Sequence, residues 1–236
     1  MLERTKKGSE VYRHECKCYI SEREAYMLAQ YFRRVMRVDR HAGPDGQYWI
    51  RSLYFDTPGN RDYYDKLNGY SERRKIRLRI YDTDTDVAML EHKCKRGAYV
   101  CKESMPLGRQ DAIRLSRNDC AFLPPVSHGA AGKFYTLFHL EQLRPILLID
   151  YKRQAFELPF ENIRITIDRD LRASADTARL FDKSVPSINA MRDARCILEV
   201  KYRNAIPVFI SRILSVVSLP VTSISKYSIC RQSIHI

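Results

Sequence analysis

The chain has 236 residues, which fits one large all-β or α+β domain. Hydrophobic residues make up 44% and glycines number only nine, which excludes a low-complexity chain. Lys and Arg number 41 against 28 acids, a formal charge of +13 that calls for a polyanionic partner: nucleic acid, an anionic membrane surface or phosphate-rich small molecules.

No apolar run approaches the roughly 20 residues needed to cross a bilayer. The opening MLERTKKGSE lacks the apolar stretch of a secretory signal, so a soluble, cytoplasmic protein is expected. Seven cysteines, with no CxxC pair and no Cys/His cluster at zinc spacing, read as reduced thiols packed against the fold.

Residues 1–10 read as a polar, basic tail and 11–236 as a single domain. Tyr12–Ile20 alternates Arg13, Glu15, Lys17 and Tyr19 against His14, Cys16, Cys18 and Ile20, the period of a strand. Ser21 followed by Glu24 is a capping box that opens a helix running to about Val35. A Gly-Pro-Asp-Gly turn precedes a strand over Gln47–Phe55, which the turn Asp56-Thr57-Pro58-Gly59 closes. Arg73–Tyr81 sets Lys75, Arg77, Arg79 and Tyr81 opposite Ile76, Leu78 and Ile80. Val87–Lys95 repeats the pattern, with Glu91, Lys93 and Lys95 opposite Leu90 and Cys94, and Tyr99–Met105 returns as its hairpin partner carrying Lys102. Helices are expected over Arg109–Arg117 and Ala130–Leu143. Strands follow over Ile146–Phe156, with Asp150, Lys152 and Arg153, over Asn162–Asp168, and over Cys196–Arg203, where Glu199, Lys201 and Arg203 share a face. A helix around Val208–Val217 precedes a basic end with Ser225, Lys226 and Tyr227.

A single strand with one charged face ordinarily turns it to solvent. At least five strands here carry ionisable groups in pairs or triples on one face. If those faces converge on a barrel lumen, two like charges about 6 Å apart repel by roughly 3 kcal/mol at an effective dielectric of about 20. Glu15, Glu91, Asp168 and Glu199 offset part of that cost, and a bound polyanion would offset the rest. The same parity sends Cys16, Cys18, Cys94, Cys101 and Cys196 outward, under covering helices.

The ordered motifs Arg13-His14-Glu15-Cys16-Lys17, Ser52-Leu53-Tyr54-Phe55-Asp56-Thr57-Pro58 and Arg74-Lys75-Ile76-Arg77-Leu78-Arg79-Ile80-Tyr81 closely resemble the VTC domain. Leu90-Glu91-His92-Lys93, Asp150-Tyr151-Lys152-Arg153, Leu198-Glu199-Val200-Lys201 and Ser225-Lys226-Tyr227 continue the resemblance in order, over about residues 11–230. It implies the CYTH-like triphosphate tunnel metalloenzyme fold, α+β, an eight-stranded antiparallel β-barrel tunnel with flanking helices. The implied activity is a metal-dependent polyphosphate polymerase that moves the γ-phosphate of ATP onto a growing polyphosphate chain. Carried over by motif, the catalytic cations are Lys17, Arg77, Arg79, Lys93, Lys102, Arg153 and Lys226. Ser225 adds a hydroxyl, Tyr151 an aromatic beside the tunnel, and Glu199 the acid that binds Mn²⁺ or Mg²⁺. Lys75, Lys95 and Lys201 join them as substrate-binding candidates; Lys95 stands where eukaryotic members carry a histidine.

Read without the resemblance, Glu199 is also a partner for Lys201 or Arg203, Asp168 for Arg153 or Arg169, and Tyr151 packing at the barrel mouth. A triphosphatase or tripolyphosphatase would use the same cations with water as acceptor. Tunnel triphosphatases begin with an ExExK strand, and here the first position is Arg13, which favours the polymerase. A non-catalytic polyphosphate or inositol-phosphate sensor would lack several tunnel cations or the metal acid. Nucleic acid ranks last, because it would need the cations on an exposed groove with stacking aromatics. ATP and polyphosphate are thus the expected partners, with a separate membrane partner for product translocation that would hold the domain at the inner face.

Overall fold

A computed structural model describes residues 14–97, 99–124, 129–191, 193, 195–217 and 222–235. The polar tail, Arg13 and the first residues of the expected opening strand lie outside the described residues. In chain order the elements are β1 (His14–Ser21), α1 (Glu22–Val35), β2 (Arg37–Val38), β3 (Tyr48–Asp56), α2 (Arg61–Leu67), β4 (Glu72–Ile80), β5 (Val87–Arg96) and β6 (Tyr99–Gly108). Then come α3 (Arg109–Ser116), α4 (Gly129–Tyr135) running into a π-helical turn (Thr136–Leu140), β7 (Arg144–Leu158), β8 (Ile163–Ser174), β9 (Ile188–Asn189), β10 (Arg195–Tyr202), α5 (Val208–Leu214) and α6 (Lys226–Ser233).

Eight strands follow one another as β1-β10-β8-β7-β3-β4-β5-β6, every neighbouring pair antiparallel, with the short β2 and β9 added to β7 and β8. Among the described residues β1 and β6 share no backbone ladder. The sheet instead curls until Glu15 on β1 meets the Lys93 ammonium on β5 at 3.2 Å. The free edge of β1 is covered by the Thr222 amide, which donates to the Lys17 carbonyl at 2.8 Å. The resulting tunnel is the expected α+β architecture, joined at its seam by side chains and a chain segment.

Alternation along the strands builds two outer cores and one inner one. Ser21 accepts from the Glu24 amide at 3.2 Å while Glu24 accepts from the Ser21 amide at 2.7 Å, so the capping box forms. Ala25, Leu28, Ala29 and Phe32 then share one face of α1 and pack with Cys18, Ile165, Ile167, Cys196 and Leu198 on the outside of β1, β8 and β10. On the opposite side Ile76, Leu78, Ile80 and Leu90 of β4 and β5 pack with Leu115, Phe134 and Phe138 from α3, α4 and the π-helical turn. Fully burying side chains of this size contributes about 1.5–3 kcal/mol each.

The third core lies inside the curl. Tyr227 and Cys230 of α6 fill one part of the lumen against Ile50, Tyr54, Ile149, Tyr151, Leu171 and Ile197. Tyr227 stacks on Tyr54 with ring centroids 5.2 Å apart. The inner wall is thereby divided into an apolar part closed by α6 and a charged belt beside it.

The expected strands and the first helix are present with ends shifted by a few residues. The helix expected over Ala130–Leu143 is broken into α4 and the π-helical turn. α2 occupies a stretch beyond the Asp56–Gly59 turn to which the sequence assigns no element, and α6 one read as a basic end. One thiol departs from its expected place: Cys101, near the hairpin end of β5 and β6, is exposed.

Candidate functional site

Strand register assembles the charged belt. Lys17 pairs with Glu199 and Glu199 with Thr166 across β1, β10 and β8. Asp168 pairs with Arg153 across β8 and β7. Ser52 and Tyr54 of β3 face Arg79 and Arg77 of β4, and Arg77 and Lys75 face Glu91 and Lys93 of β5. Lys93 faces Lys102 on β6. Because side chains alternate with period two, each of these residues points to the same inner surface. Lys226, from the first turn of α6, completes the ring by reaching Asp168 at 2.6 Å.

Four carboxylates organise the belt. Asp168, 2% exposed, takes a bidentate pair from Arg153 at 2.6 and 2.7 Å in addition to Lys226. Glu91 accepts from Arg77 Nε at 2.7 Å and Lys102 Nζ at 2.6 Å, with Arg79 at 3.7 Å. Burial pushes both carboxyls up, but the neighbouring cations win and hold each pKa at about 2. Glu15 meets Lys17 at 2.5 Å, and Glu199 meets Lys17 at 3.4 Å and Lys201 at 3.0 Å. Burial opposes the charged form of Glu199, yet Lys201 and Lys17 keep it ionised, well below the usual carboxylate range. Burial pushes the Lys201 ammonium down to about 8 against the pull of Glu199.

Lys75 is different. Its ammonium donates to the Ser225 hydroxyl at 3.0 Å and has no carboxylate partner among the described residues. Enclosure in the lumen, followed by Lys17, Lys93, Arg77 and Lys226, depresses its pKa well below the normal lysine value. The belt as a whole sets nine cations (Lys17, Lys75, Arg77, Arg79, Lys93, Lys102, Arg153, Lys201 and Lys226) against Glu15, Glu91, Asp168 and Glu199. An excess of positive charge in an enclosed, low-dielectric space is costly, and a bound polyanion would offset that cost.

Every sequence-predicted site residue except Lys95 belongs to this belt. Lys95 lies two rungs beyond Lys93 on the same face, exposed at the rim. Tyr151 is buried, with Lys226 5.0 Å and Arg153 5.3 Å from its ring centroid, and its hydroxyl accepts from Arg79 at 3.5 Å. Ser225 caps α6, accepting from the Ser228 amide at 3.3 Å. His14 and His92 face away from the lumen, as their parity requires.

Sequence reasoning missed three contributors. Tyr54 donates no charge, but its hydroxyl accepts from Arg77 at 3.2 Å and fixes that guanidinium. Thr166 holds Glu199 from the next strand at 3.4 Å. Lys66, on the unanticipated α2, is held by Ser223 at 2.5 Å, and burial with Arg73, Lys17 and Lys95 nearby depresses its pKa. The alternation of Tyr54 with Ser52 would have exposed the first of these; nothing local marks Lys66.

The donor set can be tested against Mn²⁺ or Mg²⁺. Glu199 and Glu15 lie side by side, both bonded to Lys17, and Glu199 is ionised and 5% exposed. Among the described residues no three acid, histidine or cysteine side chains gather to hold a metal unaided. Hard divalent cations of this kind are typically held by one or two carboxylates plus substrate phosphates and water, so the residues fit a metal that arrives with its phosphate ligand.

Among the described residues no helix is long and apolar enough to cross a membrane. No curated protein matches the sequence at a significant level. Solved structures are similar to the chain at low identity. A candidate adenylate cyclase from Bacillus halodurans is 14% identical, with a TM-score of 0.50 over 89% of this chain and 94% of that one. The PH1819 protein of Pyrococcus horikoshii is 12% identical, with a TM-score of 0.48 over 94% of this chain and 99% of that one. The mimivirus capping enzyme triphosphatase is 11% identical, with a TM-score of 0.42 over 87% of this chain and 89% of that one. The sequence itself matches the VTC domain over residues 12–235, spanning the belt from Lys17 to Lys226, and the chain belongs to the VTC domain family.

Proposed function

We propose that the chain is a metal-dependent polyphosphate polymerase that transfers the γ-phosphate of ATP to the end of a polyphosphate chain inside the lumen. The observation that carries this reading is the ring of nine lumen cations in which Lys75 has no acid of its own among the described residues. Arg77 and Arg79, two apart on β4, offer forked donors for bidentate phosphate contact. Charge-assisted bonds of this kind contribute about 1.5–3 kcal/mol each. Glu91 and Tyr54 hold the Arg77 guanidinium in place before substrate arrives, so little ordering is left to the binding step. Lys17, Lys93, Lys102 and Lys226 act as point charges along the chain of phosphates, and Arg153 is fixed by Asp168 at the wall. Phosphoryl transfer asks for this positioning and neutralisation more than for covalent chemistry.

Glu199, with Glu15 beside it, would hold Mn²⁺ or Mg²⁺. When bound, that ion supplies Lewis-acid polarisation of the transferring phosphoryl group. The tunnel aligns the terminal phosphate of the acceptor with the γ-phosphate for in-line attack, and ADP leaves. The choice of phosphate over water as acceptor rests on the first strand, where Arg13 replaces the first acid of the tunnel triphosphatases. Seven free thiols are consistent with a reducing, cytoplasmic setting. Translocation of product would fall to a separate membrane partner.

The reading predicts that Arg77→Ala lowers ADP release from ATP and Mn²⁺ by at least about a hundredfold, the loss of two charge-assisted bonds, with an unchanged circular dichroism spectrum. Turnover within a fewfold of the parent would remove Arg77 from the site.

A further inference from the structure

The two ends of the β4 inner row differ in chemistry. Beyond Arg79 the row ends at Tyr81, whose ring lies 6.2 Å from that of Tyr48. Beyond Lys75 it ends at Arg73, whose cross-strand partner is Lys95, with Glu72 and Arg96 as the next rung. At that end Lys66 of α2 stands close enough to Arg73, Lys17 and Lys95 for all three to oppose its charge. The cation path therefore does not stop at Lys75.

Around the end of the β4–β5 ladder it meets a cleft of about 360 Å³ on the outer face, where His92 and Cys94 of β5 and Thr136 and Leu137 of the π-helical turn form part of the lining and only Arg73 and Lys95 come from the inner row. Arg61, Arg73, Arg74, Lys95, Arg96 and Lys133 line it. Of the three acids that line it, Glu141 and Asp65 are engaged by Arg74 and Arg61, while Glu72 forms no ion pair among the described residues; Lys133 is engaged by Glu103. Arg73, Lys95 and Arg96 form no ion pair among the described residues. Among the described residues no Trp, Tyr or Phe lines the cleft, so they offer no stacking surface for a nucleobase. The chemistry suits a bare linear polyanion rather than a nucleotide.

We propose that this cleft is a binding site for linear polyphosphate chains longer than the lumen, which leave the tunnel past Lys75 and lie against Arg73 and Arg96. The inference rests on the reading of the lumen as a phosphate-chain site and extends it outward. Two neighbouring cations at the rim, Lys66 and Lys95, lead the chain from the belt to the cleft.

Titration calorimetry with sodium tripolyphosphate and with long-chain polyphosphate, on the full chain and its Arg73→Ser/Arg96→Ser variant, tests it. Both arginines are at the surface end of the ladder, so a melting temperature equal to the parent's verifies the fold. The expected result is an about tenfold loss of long-chain affinity, the value of two exposed charge contacts, with tripolyphosphate affinity unchanged within about twofold. Equal long-chain affinity in parent and variant, or an equal loss for both ligands, overturns the cleft while leaving the lumen reading in place. Failure of the parent to bind either ligand overturns the lumen reading and the cleft with it.

Discussion

Lys75 concentrates the conflict between stability and binding in this molecule. Four cations face its ammonium, and among the described residues only the Ser225 hydroxyl accepts from it. Its neighbours are better provided: Arg77 has Glu91, Arg153 has Asp168, and Lys17 has two glutamates. Replacing Lys75 by Met should therefore stabilise the free protein by about 1 kcal/mol, after screening by solvent in the lumen. That corresponds to a rise of about 2–4 °C in Tm for a chain of this size. The same variant should bind tripolyphosphate at least about tenfold more weakly, the cost of one charge-assisted bond. Differential scanning calorimetry with and without ligand reads both effects; a variant that loses stability as well as affinity would mean that Lys75 is structural. The alternation Lys75-Arg77-Arg79 is visible in the sequence, because period two requires only local information. Two of the acid–cation pairs, Glu199 with Lys201 and Asp168 with Arg153, were among the partners the sequence offered, whereas Glu91 with Arg77 across strands and Asp168 with Lys226, 58 positions away, were not.

At the scale of elements, α2 and α6 are held by one residue that belongs to neither. The Asp56 carboxylate, fully buried at the end of β3, accepts from the amides of Thr57, Asp62 and Tyr63 at 2.8–3.1 Å and from the Tyr227 hydroxyl at 2.7 Å. Arg231 of α6 approaches the same carboxylate at 3.4 Å. α2 has no cap of its own: Asn60 is left-handed, at φ 58°, and makes no side-chain cap bond. Its start is supplied from the strand before it, which is why Pro58-Gly59 reads as a turn and the helix beyond it is invisible to local rules. α6 did carry a local sign, the Ser225 cap, but its apolar face is short and its first turn basic. β1, α1, β4 and β5, by contrast, were legible because alternation or a capping box sufficed. Asp56→Asn is expected to cost about 2–4 kcal/mol, since it weakens several bonds to a buried charge. Amide hydrogen exchange should quicken in α2 and α6 together while α1 remains protected. Faster exchange in α2 alone would show that Asp56 does not couple the two helices.

At the scale of the whole molecule, the +13 charge is spent in two ways. Part of it is gathered by strand register into an enclosed lumen, and part lies on the surface, as on Arg33, Arg34 and Arg37 of the first helix and the strand after it. Composition alone cannot separate these; strand parity gathers the charges on one face of each strand, and the resemblance to the VTC domain is what implied that those faces line a tunnel. The seam could not be read, because no pattern in β1 or β6 states that a side-chain pair and the Thr222 amide close the curl. On the proposed reading, enclosure is what lets a basic protein hold a phosphate chain, since charges in the lumen are screened far less than those at the surface. Identity of the acceptor is the central claim that follows. The purified chain, incubated with ATP and Mn²⁺, should release ADP with little free phosphate while a ladder of polyphosphate appears on a gel. ADP and free phosphate in equal amounts, with no polymer, would contradict the account and make water the acceptor.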